Sequence, residues 1–394
     1  MKKLTILVAA LVIGTAGLLA TRSPAQDVAS APVLKAAPKQ KPAEPAKPAT
    51  AAGTEAPTTT TARPVPVAAA KPSVPTTTPT TVPTGFVPDV VVVHYDPPPP
   101  GFDEPLWQEQ NAGLGGNYLS DVSFVDAVHG WAVGGWNGLI VATDDGGETW
   151  QHQASGTSAE LNGVSFVDRN RGWAVGFNGT ILATTDGGAS WSPQSSPGGD
   201  YLAVSFVDRN YGWAVGNCGV ISATTDGGAT WVSQVPPPAP ITCANATLTD
   251  VVFVDRNSGW AVGSDVILTT SNGGKTWTKQ TPPRTGLYDA FFLDAKRGWV
   301  VGFNTILATT DGGKTWIDQS PGLENTSLLG VAFANPNRGW AVGVALNGDQ
   351  VILGTSDGGA TWIPESADAT PVLRAVAAVS PTRAWAVGTT ILAR

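Results

Sequence analysis

Seven arginines stand at recurring places shortly ahead of a Gly-Trp or Ala-Trp pair: Arg169, Arg171, Arg209, Arg256, Arg297, Arg338 and Arg383. A guanidinium offers a planar fork of N–H donors, so such a set suits bidentate capture of carboxylates. The plainer role for each is an ion pair with an aspartate of its own turn, such as Asp168, Asp208, Asp255 or Asp294. A second recurring group is an acidic turn carrying Asp145, Asp186, Asp226, Asp311 and Asp357, with Asn272 in the fourth copy. A carboxylate there accepts backbone N–H bonds from its own turn, and the glycines beside it take positive φ cheaply. Asn272 keeps the acceptor and loses the charge, so the shared role is structural. One carboxylate per turn is too few oxygen ligands for calcium. Trp136, Phe177 and Phe303 follow the Gly-Trp strings and stand as candidate stacking platforms. Cys218 and Cys243 are the only cysteines; in an exported chain they are expected to form a disulfide.

What must position these groups is a repeat. The string Gly-Trp-Ala-Val-Gly, or a close variant, places its Trp at 131, 173, 213, 260, 299, 340 and 385. An apolar run precedes each copy and another follows it, ending in the acidic turn, a Trp and a Gln three residues on. Four short strands per unit of roughly 40–50 residues is the pattern of propeller blades. Seven Gly/Ala-Trp strings meet only six acidic turns, and the seventh unit stops at Ile391–Arg394, one strand short. The missing strand is Trp107-Gln108-Glu109-Gln110, which resembles Trp150-Gln151-His152-Gln153. The fold is therefore expected to be all-β: a seven-bladed propeller of four-stranded blades, with the last blade closed by an N-terminal strand. Such closure removes exposed sheet edges.

The rest of the chain is of another kind. Residues 1–100 hold 18 of the 32 prolines and 4 of the 46 glycines, whereas all 15 tryptophans fall after residue 100. Met1-Lys2-Lys3 followed by the apolar run Leu4–Ala20 reads as a signal peptide or N-terminal anchor over 1–25. Residues 26–100 read as a disordered Pro/Ala/Thr linker, an extended tether. Residues 101–394 form the propeller and carry 14 Lys/Arg against 26 Asp/Glu, an acidic balance that argues against nucleic acid. The expected setting is extracytoplasmic, secreted or held at the outer side of the cytoplasmic membrane. No metal or cofactor is expected, and the protein is expected to be a monomer.

In a four-stranded blade the first and third turns share one face, and the second turns and blade links share the other. The arginines fall on the first face, in six of seven blades. Trp136, Phe177, Phe303, Cys218 and the Val235–Thr247 insertion fall on the opposite one.

The strings Phe-Val-Asp-x-x-x-Gly-Trp-Ala-Val-Gly and Thr-Thr-Asp-Gly-Gly-x-Thr-Trp resemble the photosystem II stability/assembly factor family, within the Asp-box (BNR) repeat superfamily. The resemblance covers about residues 103–394. It implies a non-catalytic scaffold that assists assembly of a membrane complex, with an arginine-rich patch at the contacts. It would place partner binding on the seven arginines named above. The long Pro/Thr stalk and the lack of a lipoprotein Cys depart from the family and point to an exported relative outside photosynthesis. A cell-envelope glycan bound at Trp136, Phe177 and Phe303 is the alternative partner. A sialidase-like hydrolase is the enzyme alternative, since sialidases also carry Asp boxes. The arginines here repeat in turns rather than forming a triad. Tyr118 and Tyr201 occupy equivalent places before first strands, and His94, His129 and His152 are scattered.

Overall fold

In the computed structural model, residues 106–234, 247–367, 369 and 371–394 are described. The expected leader and linker (1–25 and 26–100), the start of the expected propeller (101–105) and the insertion with Cys243 lie outside these residues. Seven antiparallel four-stranded sheets form the ring. Blade three is typical: Tyr201–Phe206, Gly212–Gly216, Ile221–Thr224 and Val232–Gln234, paired in chain order. The seventh sheet orders Gln108–Gln110, Ile391–Ala393, Arg383–Gly388 and Leu373–Ser380. The first of these pairs Gln108 with Ala393 and Gln110 with Ile391, closing the ring as the repeat count requires.

The second strands of blades one to five are buried throughout, since both their faces meet neighbouring sheets. Their tryptophans make the seams between blades. Trp173 of blade two stacks on Phe206 of blade three, with centroids 3.5 Å apart and planes within 4°. Phe206 in turn meets Trp231 edge-on at 5.8 Å, and Trp173 Nε1 donates to Gly227 O at 2.9 Å. Stacking removes large apolar faces from water, and the N–H finds an acceptor.

The two glycines of each string follow from this packing. Gly212 lies beneath the Phe206 ring, with no room for a methyl group. Gly216 has extended backbone (φ 179°), so its need is close approach rather than turn geometry. A Cβ there would collide with the Asp200 carbonyl. Gly216→Ala is expected to destabilise the ring by about 1–3 kcal/mol, the usual range for overpacking. Chemical denaturation of the variant checks this.

The seam between blades six and seven is built differently. Blade seven has Ala378 where other blades have the stacking Phe, and its outer strand arrives without an acidic turn. Trp107 fills the gap, edge-on to Trp340 at 6.1 Å. Glu365, 7% exposed, stands where six other blades carry Gln and gathers the seam. It accepts from Trp107 Nε1 (2.8 Å), Trp340 Nε1 (3.0 Å) and Arg338 Nη2 (2.8 Å), and also from Arg394.

Candidate docking face

The first turns are carboxylate-braced. Asp168 Oδ1 accepts the N–H groups of Asn170 and Arg171, each at 2.8 Å. Asp126, Asp208, Asp255 and Asp294 do the same in blades one, three, four and five. The acidic turns dock on them: Gly187 N donates to Asn170 O, Gly227 N to Asn210 O and Gly273 N to Asn257 O, each at 2.9 Å. First and third turns thus share one face.

The seven arginines separate into two classes by position. Arg169, Arg209 and Arg256 directly follow the turn aspartate in blades two, three and four. Arg169 reaches back one blade to Asp126, with Nε and Nη2 each 3.0 Å from Oδ2, and its side chain remains 63% exposed. Arg256 makes the same reach to Asp208, Nε to Oδ2 at 2.6 Å, while lying over the Tyr211 ring at 4.3 Å. By that rule Arg209 would take Asp168, but Arg171 of the same loop already faces that carboxylate at 3.5 Å. Arg209 is exposed and has no hydrogen-bond or ion-pair partner among the described residues.

Arg171, Arg297, Arg338 and Arg383 stand next to the Gly-Trp or Ala-Trp pair; Arg338 and Arg383 fold inward, whereas Arg171 and Arg297 stay at the surface, each against the aspartate of its own turn. Arg297 closes on Asp294 at 2.8 Å. Arg338 is 18% exposed, bound to Glu365 and the Thr355 carbonyl and laid over Trp340 at 4.4 Å. Arg383 lies over Trp385 at 5.5 Å with its Nε buried. Arg169, Arg209 and Arg256 thus hold outward head groups across consecutive blades, and Arg297 of blade five, also exposed, is closed on its own turn aspartate.

The acidic turns use their carboxylates internally. Asp145 accepts the Thr149 N–H at 2.9 Å and the Thr149 hydroxyl at 2.6 Å, and Thr143 Oγ1 donates to it at 2.8 Å. These bonds, led by the Thr149 hydroxyl, pull the Asp145 carboxyl down to about 2. Asp186, Asp226, Asp311 and Asp357 repeat the frame. Asn272 keeps it without charge, accepting from Thr276 N–H and donating to its hydroxyl.

On the opposite face Trp136 is 68% exposed, carried on a turn whose flanks Gly135, Asn137 and Gly138 all have positive φ. Phe177 is half-buried and its N–H donates to Glu160 O. Phe303 is partly exposed, and Leu346 of blade six, aliphatic rather than aromatic, is more so. Cys218 is disulfide-bonded, and Cys243, the other cysteine, lies outside the described residues. At the inner end of this face Tyr118 donates to Glu160 at 2.5 Å, under the Arg374 guanidinium 4.5 Å from its ring. Burial, then the Glu160 bond, pushes the Tyr118 phenol up to about 12.

Five overlapping stretches, 102–192, 154–239, 199–282, 239–317 and 280–362, match the photosynthesis system II assembly factor YCF48 family. The chain belongs to that family. A structure of YCF48 bound to D1 peptide is 26% identical, covers 74% of this chain and 97% of that one, and has a TM-score of 0.59. YCF48 from Cyanidioschyzon merolae is 23% identical over 73% of this chain and 98% of that one, at TM-score 0.60. The GH74 enzyme of Niastella koreensis, 15% identical at TM-score 0.58, covers 71% of this chain and 52% of that one and shares the fold alone. No curated protein sequence matched. Family membership rests on the repeats, whereas the shape, common to 807 matching chains, does not discriminate among propeller functions. In this YCF48-family chain Arg169, Arg209 and Arg256 form the outward cationic row of the first-turn face.

Proposed function

We propose that the chain is an exported, non-catalytic scaffold that docks a protein partner, a subunit of a membrane complex, through Arg169, Arg209 and Arg256. The observation that carries this reading is Arg209, exposed and unneutralised between two outward arginines on neighbouring blades. An exposed guanidinium without a carboxylate suits a partner that brings one. Family membership and the YCF48 structure with a D1 peptide support a peptide-bearing partner. The basic-apolar start and Pro/Thr stretch support export and a tether, and the departures from the family support a role outside photosynthesis.

One feature weighs against glycoside hydrolysis: Tyr118 keeps its proton at neutral pH, so it is no ready nucleophile.

The test is an affinity capture from detergent-solubilised envelope with wild type and with Arg169→Glu/Arg209→Glu/Arg256→Glu. The expected result is a partner held by wild type and lost by the variant, whose melting is little changed because these side chains are exposed. Equal capture would defeat the arginine face and turn attention to a glycan at Trp136.

A further inference from the structure

We infer that a groove at the seam between blades four and five seats an apolar side chain of an acidic, extended partner segment. The inference rests on the docking role of the arginine face and names what that face receives beyond Arg256. One wall of the groove is the link that leaves blade four, with Gln280, Pro282 and Pro283. The other is the end of the acidic turn of blade five, with Lys314 and Trp316. The groove holds about 570 Å³, within the roughly 300–1,000 Å³ usual for ligand sites. Arg284, next after Pro283, pairs with Asp318, two residues after Trp316, Nη2 to Oδ2 at 2.6 Å. That ion pair ties the two walls together.

Trp316 is the loosest tryptophan of its kind. Trp150, Trp191, Trp231, Trp277 and Trp362 hold the same place in other blades and are buried, whereas Trp316 is partly exposed. Its ring centroid lies 6.2 Å from that of Phe292, against 5.8–6.0 Å in the five matching edge-on pairs. Its Nε1 donates to Gln280 Oε1 at 3.4 Å, where the same bond of Trp150, Trp191 and Trp277 is 3.1 or 3.2 Å. Gln153 and Gln234 also donate an amide N–H to the next acidic turn, at 2.9 and 3.1 Å. Gln280 donates to no partner among the described residues, which leaves its N–H groups for a ligand carbonyl. An indole beside two prolines, with an amide donor at its edge, suits an apolar side chain and the peptide group next to it.

Charge selects the rest of the ligand. The residue after the paired glycines is Lys275 in blade four and Lys314 in blade five, but Ala189, Ala229 and Ala360 in blades two, three and six, and Glu148 in blade one. Lys275, Lys314 and Lys296 of the first turn of blade five are exposed and make no ion pair among the described residues. The nearby acids are occupied: Asp311 within its own turn, Asp294 by Arg297 and Asp318 by Arg284. The groove also continues the arginine row. Gly273 of the acidic turn of blade four donates to the Asn257 carbonyl beside Arg256, and Trp260 Nε1 of blade four donates to Gly312 O of blade five at 3.0 Å. Carboxylates of the bound segment meet Arg256, Lys275 and Lys314 in turn, and its apolar residue lies against Trp316.

The test uses two fluorescein-labelled peptides of alternating Glu and Gly, one with Leu at its centre and one with Ser there. Anisotropy titrations at low ionic strength compare the full chain as wild type, as Thr281→Tyr, which plugs the groove from an exposed position, and as Arg169→Glu/Arg209→Glu/Arg256→Glu. Wild type should prefer the Leu peptide by about tenfold or more, as burial of that side chain requires. Thr281→Tyr should bind both peptides as wild type binds the Ser peptide. The arginine variant should weaken both and keep the preference. No binding or no preference in wild type, or a preference that survives Thr281→Tyr, overturns the inference whatever the arginine row does. A preference lost in Thr281→Tyr while the arginine variant binds like wild type would sink the arginine face and support the groove. Cellotetraose that displaces the Leu peptide from wild type and is excluded by Thr281→Tyr would give the groove to a glycan and overturn the inference.

Discussion

Glu365→Ala should be among the most damaging single changes in the ring, costing about 3–5 kcal/mol, the range for breaking a buried ion pair by removing one partner. The alanine leaves Arg338 and Arg394 without their carboxylate, and both Trp107 and Trp340 lose an indole acceptor. For a ring of this size that corresponds to a melting decrease on the order of 10 °C. Glu365→Gln restores the residue that six other blades carry and keeps an acceptor for one indole, so it should fall between the two. Calorimetry of both variants decides the matter. An alanine variant within about 1 kcal/mol of wild type would mean that the seam draws its strength from the Trp107–Trp340 contact alone.

Phe253→Ala should cost a similar amount for a different reason. Its ring is stacked on Trp213 at 3.5 Å and meets Trp277 edge-on at 5.8 Å, in the seam between blades three and four. Removing it opens a cavity that two rigid indoles cannot fill, and buried Phe→Ala changes cost about 3–5 kcal/mol. The damage should be local. Hydrogen exchange is expected to accelerate first in Gly212–Gly216 and Gly259–Gly263, with the distant seams protected; uniform acceleration around the ring would contradict a seam-by-seam origin of stability.

The architecture was legible because each repeat writes its packing twice, once in the Gly-Trp string and once in the Trp after the acidic turn. The missing strand of the seventh unit could be found by matching Trp107–Gln110 to Trp150–Gln153. The site was less legible. Arg209 directly follows Asp208 and Arg338 directly precedes Gly339-Trp340, but neither position shows which carboxylate the side chain reaches: none for Arg209 among the described residues, Glu365 for Arg338. Glu365 itself was readable as the one acid among six glutamines, but its partners come from 258 residues away in one case.

The closing strand also sets a kinetic condition. Trp107 is made early, yet its partner Glu365 follows 258 residues later. At about 5–20 residues per second of synthesis, that strand waits roughly 15–50 s for its place. Meanwhile each newly made blade has a third-strand edge suited to a short Gln-x-Gln segment, and Gln108–Gln110 differs little from Gln151–Gln153. A premature docking would be a local trap of the kind repeat proteins encounter. The carboxylate at 365, where the other seams carry an amide, gives the waiting indole one address in the ring unlike the rest.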